Sequence, residues 1–97
     1  MDNRPVCVFD SGLGGLTAVR ILRKLMPNEN IVYFGDTGRM PYGGRSAAQI
    51  RLIAQQNLDF AQSFGVKAII AACGTISSNA ADLLLACPVK TVGVLAP

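Results

Sequence analysis

The chain has 97 residues, 51% of them apolar and 15% charged, with nine Lys and Arg against six Asp and Glu. Such a composition excludes a disordered chain and describes one small globular domain. The net charge of +3 is scattered and not interleaved with aromatics, which argues against a nucleic-acid surface, and the absence of histidine excludes Ser-His-Asp and Cys-His catalysis within the chain.

The start, Met1-Asp2-Asn3-Arg4-Pro5, carries no signal-peptide apolar region, and no apolar run reaches membrane-spanning length. Val6 to Phe9 is a short continuous apolar run, the pattern of a strand buried on both faces. It ends at Asp10-Ser11-Gly12. Leu13, Leu16, Val19, Leu22, Leu25 and Met26 then recur at helical spacing. Arg20, Arg23 and Lys24 fall on the polar side and late in that helix, where cations suit its dipole. Pro27-Asn28 stops it, and Ile31 to Phe34 forms a second buried strand ending at Gly35-Asp36.

Gly35 to Arg45 reads as a long polar loop. Ser46-Ala47-Ala48-Gln49 is a capping box that opens a helix with Ile50, Ile53, Ala54, Ala61 and Phe64 inward and Gly65 at its C′ position. Val66 to Ala72 is the third strand. Ser77 or Ser78 caps a third helix that runs through Leu85 and is terminated by Pro88, and Val89 to Leu95 is the fourth strand. The order β-α-β-α-β-α-β predicts an α/β fold: a parallel four-stranded sheet with helices on both faces and right-handed crossovers. With no helix after the fourth strand, one face of the sheet is expected to be short of cover.

Three strand-to-helix loops then open on one edge of the sheet, where ligands bind in open α/β folds. They hold Asp10 and Ser11, the Gly35–Arg45 segment, and Cys73-Gly74-Thr75. Cys73 ends a buried run beside the start of a helix, a position that favours a reactive thiol. Cys7, inside a strand, and Cys87, before Pro88, read as small buried hydrophobes. The cysteine number is odd and no CxxC occurs, so neither a disulfide framework nor a zinc site is indicated, and a reducing cytoplasmic setting is expected. Asp10 has two compatible readings, a helix-capping carboxylate or a base and orienter near the thiol. Gly12-Leu13-Gly14-Gly15, with Asp36 ending the second strand, partly matches a dinucleotide fingerprint, but Thr17 stands at the third glycine position.

Val8-Phe9-Asp10-Ser11-Gly12-Leu13-Gly14-Gly15-Leu16, Tyr33-Phe34-Gly35-Asp36-Thr37, Pro41-Tyr42-Gly43 and Ala72-Cys73-Gly74-Thr75 resemble, in this order and spacing, the N-terminal half of the glutamate racemases. The resemblance covers the whole chain. It implies one half of the two-domain aspartate/glutamate racemase fold, with residues 1–97 as the N-terminal domain and the C-terminal domain absent from this chain. It also implies a cofactor-independent, metal-free racemase that supplies D-glutamate for peptidoglycan. In that family a cysteine thiolate removes the α-proton and a thiol on the opposite face returns one.

Carried over residue by residue, the resemblance makes Cys73 the first catalytic cysteine and Asp10 its assisting carboxylate. Asp10 with Ser11, Tyr42 with Gly43, and Gly74 with Thr75 become substrate contacts. The family motif usually reads Cys-Asn-Thr; Gly74 replaces the Asn and offers only backbone. The opposing cysteine belongs to a Cys-Thr-His motif of the second domain, so these 97 residues alone are expected not to racemise. Expected partners are glutamate and the missing domain, with a homodimer where apolar surface is left bare; neither nucleic acid nor membrane is expected. Alternatives are an aspartate racemase-like enzyme, a flavodoxin-like nucleotide-binding domain and an interaction module. The Gly-Asp-Thr and Pro-Tyr-Gly segments favour glutamate.

Overall fold

A computed structural model describes residues 3–10, 15–36 and 44–93. These residues form β1 (Val6–Asp10), α1 (Gly15–Leu25), β2 (Ile31–Gly35), α2 (Ala47–Gln62), β3 (Ala68–Ala71), α3 (Gly74–Asn79), α4 (Ala81–Ala86) and β4 (Lys90–Gly93). The strands make one sheet of order β2-β1-β3-β4, with every pairing parallel. Phe9 lies opposite Phe34 on one side and Ala71 on the other, and Ala71 lies opposite Gly93.

Right-handed crossovers send the chain to opposite faces as it leaves β1 leftward for β2 and then returns rightward to β3. α1 therefore packs on one face, against β1 and β2, while α2, α3 and α4 share the other. Cys7, Phe9, Ile69 and Ala71 point to that second face and meet Ile53, Leu58, Ile76 and Leu84 in a single core. Burying a side chain of this kind contributes about 1.5–3 kcal/mol before entropy is counted. Among the described residues, α1 alone covers the first face; Val92, in register with Ile70 and Val8, is 52% exposed.

The α/β class, the parallel sheet and the two-sided helix placement agree with the sequence. The capping box of α2 is present: the Ser46 Oγ accepts from the Gln49 N–H at 3.1 Å, and the Gln49 Oε1 accepts from the Ser46 N–H at 2.9 Å. Gly65 takes φ +66, the left-handed conformation expected of it, but two residues beyond the Ser63 C-cap.

Other expectations are corrected. The third helix does not start at a Ser77 or Ser78 cap. It starts at Gly74 with Cys73 as N-cap, and it breaks at Ala80 (φ −134, ψ 30) into α3 and α4. Ser78 bonds backwards instead of capping, its Oγ donating to the Gly74 carbonyl at 2.9 Å, and the Asn79 Nδ2 amide likewise donates to that of Thr75 at 2.8 Å. Side chains that hold first-turn carbonyls in this way disfavour an uninterrupted helix. Phe64 does not face inward. It lies past the end of α2, exposed, edge-on to Phe60 at a centroid distance of 5.0 Å. The apolar stripe of α1 is also incompletely buried, since Leu25 in its last turn is 73% exposed. β3 begins at Ala68 rather than Val66, although the Lys67 N–H already donates to the Pro5 carbonyl at 2.9 Å.

α2 and α4 are tied by a forked pair: Arg51 donates to both carboxylate oxygens of Asp82, at 2.7 and 2.8 Å. That hydrogen bond, more than the charge, holds the Asp82 carboxyl down at about 2. A carboxyl lowered in the folded state contributes stability above its unfolded value, and loses it as pH falls through its folded value. NMR titration of the Asp82 carboxyl should therefore give about 2, and in Arg51→Gln it should return toward 3.8; an unchanged Asp82 would show that the pair is not formed.

Candidate active site

Every β-to-α connection leaves the same edge of a parallel sheet, so the carboxyl ends of β1, β2 and β3 set the candidate site. Asp10 ends β1 and is 1% exposed. A carboxylate so buried needs donors. The Tyr33 hydroxyl supplies one, at 3.2 Å from both Asp10 oxygens. Tyr33 is reached because it pairs in register with Val8, on the same face as Asp10. Burial first, and the Asp10 charge and hydrogen bond after it, push the Tyr33 phenol above its ordinary value. Beside it, the Asp36 N–H donates to the Asp10 carbonyl at 2.8 Å, and the Ala72 N–H to that of Phe9 at the same distance. The ladder thus continues past β2 and β3 and fixes the whole edge.

Cys73 stands at that edge as the N-cap residue of α3, 4% exposed and packed in the core with Ile76 and Ala80. Its side chain makes no capping hydrogen bond, so the thiol is not used to close the helix. Strand alternation sets Asp10 and Cys73 on opposite faces of the sheet: Asp10 shares the α1 side with Val8, whereas Cys73 shares the α2 side with Cys7 and Phe9. Gly74 and Thr75, the first residues of α3, are half-buried beside it. Ser11, Tyr42 and Gly43 lie outside the described residues, as do the Gly12–Gly14 part of the dinucleotide-like pattern and the residues through which Asp10 would cap α1.

The other thiols differ. Burial pushes Cys7 up to about 11, which leaves it a neutral packing group. Cys87 is half-buried at the end of α4. Among the described residues no group of three or more His, Cys, Asp or Glu side chains is placed to hold a metal ion.

Three polar residues of the site were not anticipated from the sequence. Tyr33 holds Asp10. Asn57 is buried in α2 and donates to the Asp36 carboxylate at 3.3 Å, so that carboxylate, which the dinucleotide reading would point at a ribose, faces the protein. Ser77 is a buried residue of α3. The available signal was a polar residue at a position where helical or strand spacing calls for an apolar one: Asn57 falls in the stripe with Ile50, Ile53, Ala54 and Ala61.

No family model matches the chain. Among curated relatives, it is 43% identical over 98 residues to a glutamate racemase of Pediococcus pentosaceus, covering 100% of this chain and 37% of the relative. It is 49% identical over 94 residues to one from Thermus thermophilus, covering 96% and 37%. The chain therefore spans little more than a third of the curated relatives it matches. Among solved structures, the glutamate racemase of Francisella tularensis in complex with D-glutamate is 48% identical with a TM-score of 0.88, over 96% of this chain and 36% of that one. The Thermus thermophilus enzyme in complex with β-chloro-D-alanine is 47% identical with a TM-score of 0.87, over 94% and 36%.

Removing the Tyr33 hydroxyl should leave a buried carboxylate short of a donor. Tyr33→Phe is expected to lower the unfolding free energy by about 1–3 kcal/mol in urea. It should also remove from the 295 nm absorbance titration a phenolate component with a midpoint above 10.0. A variant as stable as the parent would show that Asp10 is satisfied without it.

Proposed function

The chain belongs to the glutamate racemase family, and from that premise we propose that it is the N-terminal domain of an enzyme interconverting L- and D-glutamate, with Cys73 as one of two opposed proton-transfer groups. The observation that carries this is the place of Cys73: a thiol not engaged in capping, at the carboxyl end of β3, on the edge that also presents Asp10. Inversion at a tetrahedral carbon needs an acid/base group on each face. A thiolate on one side takes the α-proton, and a thiol on the other delivers one. After one turnover the two sulfurs have exchanged protonation states, and the substrate has exchanged its α-hydrogen. The α-proton is only weakly acidic, so donors around the carboxylate must stabilise the charge that develops.

In this reading Asp10, held by Tyr33, assists Cys73 from the other face of the sheet and lines the substrate space. Thr75 contributes its hydroxyl and Gly74 its backbone. Ser11, Tyr42 and Gly43 complete the contacts, as the resemblance implies. Where the family carries an Asn, Gly74 removes a side chain that could both donate and accept, so the substrate is held by fewer side-chain hydrogen bonds. The opposing thiol comes from outside these 97 residues, which the coverage of the relatives by little more than a third supports. The remainder of the protein is then the partner of this domain, and a homodimer is a second arrangement for the bare apolar surface. D-glutamate made in this way would serve peptidoglycan synthesis in the cytoplasm, a setting that three free thiols suit. Among the described residues no helix is long and apolar enough to cross a membrane.

Two measurements by chiral chromatography test the reading. The 97-residue chain incubated with L-glutamate should yield no D-glutamate, and clear turnover would show that the second acid/base group is not needed from elsewhere. In the complete protein, Cys73→Ala should lower racemisation by about 10²–10⁴, the contribution of a positioned acid/base group. Activity within a factor of about two of the parent would remove Cys73 from the chemistry.

A further inference from the structure

We propose that Ser77, seated against Gly93, is the positioning residue that fixes where Cys73 stands, a reading that rests on Cys73 being the proton-transfer group. Ser77 is 1% exposed. Its hydroxyl donates to the Ala71 carbonyl at 3.3 Å, and its backbone N–H donates to the Cys73 carbonyl at 2.9 Å. One residue therefore grips both ends of Ala71-Ala72-Cys73, the three residues over which strand becomes helix. The middle residue is tied in turn to β1 through the Ala72 N–H and the Phe9 carbonyl, at 2.8 Å.

The hydroxyl's choice of partner is informative. A helical serine that bonds backwards ordinarily takes the carbonyl three or four residues before it. Ser78 does so, donating to Thr75 and Gly74. The Ser77 hydroxyl instead reaches past the Cys73 carbonyl to that of Ala71, six residues back, out of the helix and onto the strand. Burying a hydroxyl for packing alone is unfavourable beside alanine, so the bond to Ala71 is what the serine adds.

Gly93 supplies an independent observation. It pairs with Ala71 across β3 and β4, directly under Ser77. A Cβ on Gly93 would lie 2.9 Å from the Ser77 Oγ, 3.2 Å from its Cβ and 2.9 Å from the Leu84 Cδ1. The Leu84 methyl and the Ser77 hydroxyl would have to turn aside and the Ser77 Cβ to give way, so the present seat of α3 on the sheet uses the bare backbone of Gly93. Ser77 and Gly93 together thus set the height of the first turn of α3, and with it the height of the Cys73 thiol at the edge.

Site-resolved mass spectrometry of iodoacetamide labelling in the 97-residue chain tests this without requiring racemisation, so its outcome is separate from whether Cys73 transfers protons. The quantity read is the labelling rate of Cys73 relative to Cys7, which is buried in the same core and reports general opening. Ser77→Ala should raise that ratio about fivefold, the effect of one lost hydrogen bond on a local opening. Gly93→Ala, which crowds Ser77 from below, should raise it as well, and Ser78→Ala should leave it unchanged. Should neither altered chain keep a folded circular-dichroism spectrum, hydrogen exchange of the parent decides: the Ser77 amide should be protected as well as that of Ala72. A ratio unmoved in folded variants, Cys7 and Cys73 accelerating together, or a fast-exchanging Ser77 amide overturns the proposal.

Discussion

The burial of β1 on both faces is the constraint on which the rest depends. All of Val6–Asp10 is buried, with β2 hydrogen-bonded on one side and β3 on the other. Such a strand has to be apolar along its length, and its neighbours must be parallel because helical crossovers join them. Parallel strands in turn deliver every connection to a helix at one edge. The site is therefore a consequence of where β1 lies: Asp10 is its last residue, the end of β2 hangs on the Asp10 carbonyl, and the run into Cys73 hangs on that of Phe9.

A polar group at the end of such a strand stands at the ligand edge and is costly to keep buried. Asp10 is kept by Tyr33, and the carbonyl of Ala71 by the Ser77 hydroxyl. The two candidate functional groups approach the edge from opposite faces of the sheet, Asp10 from the α1 side and Cys73 from the α2 side. A substrate spanning the edge would meet both, and a second thiol would have to face Cys73 across that substrate. The match to little more than a third of each relative is what such a division of the site between two domains would give.

Local rules made most of the fold legible. The apolar runs of β1, β2 and β3, the helical spacing of α1 and α2, the Ser46–Gln49 box and Gly65 all act within a few residues, and the structure agrees with them in type if not always in length. What local rules misjudged was decided by tertiary partners. Ser77 and Ser78 have the side chains of caps, but one is drawn to a strand carbonyl and the other back to its own helix, so the helix begins earlier and breaks at Ala80. Phe64 fits the spacing of an inward residue but falls beyond the helix end. For the candidate site, the positions of Cys73, Asp10, Gly74 and Thr75 at the strand ends were legible in the sequence; their roles rest on the family resemblance. Tyr33, Asn57 and Ser77 were not, because a polar residue on an apolar stripe shows its purpose only once its partner across the fold is known.

The most direct test of Cys73 as one of two opposed groups is deuterium incorporation at Cα of glutamate in D2O, followed by NMR for each enantiomer with the complete protein carrying Cys73→Ser. If Cys73 serves one face of the substrate, exchange from the enantiomer whose α-proton points to it should be lost. Exchange of both enantiomers at the parent rate would contradict it.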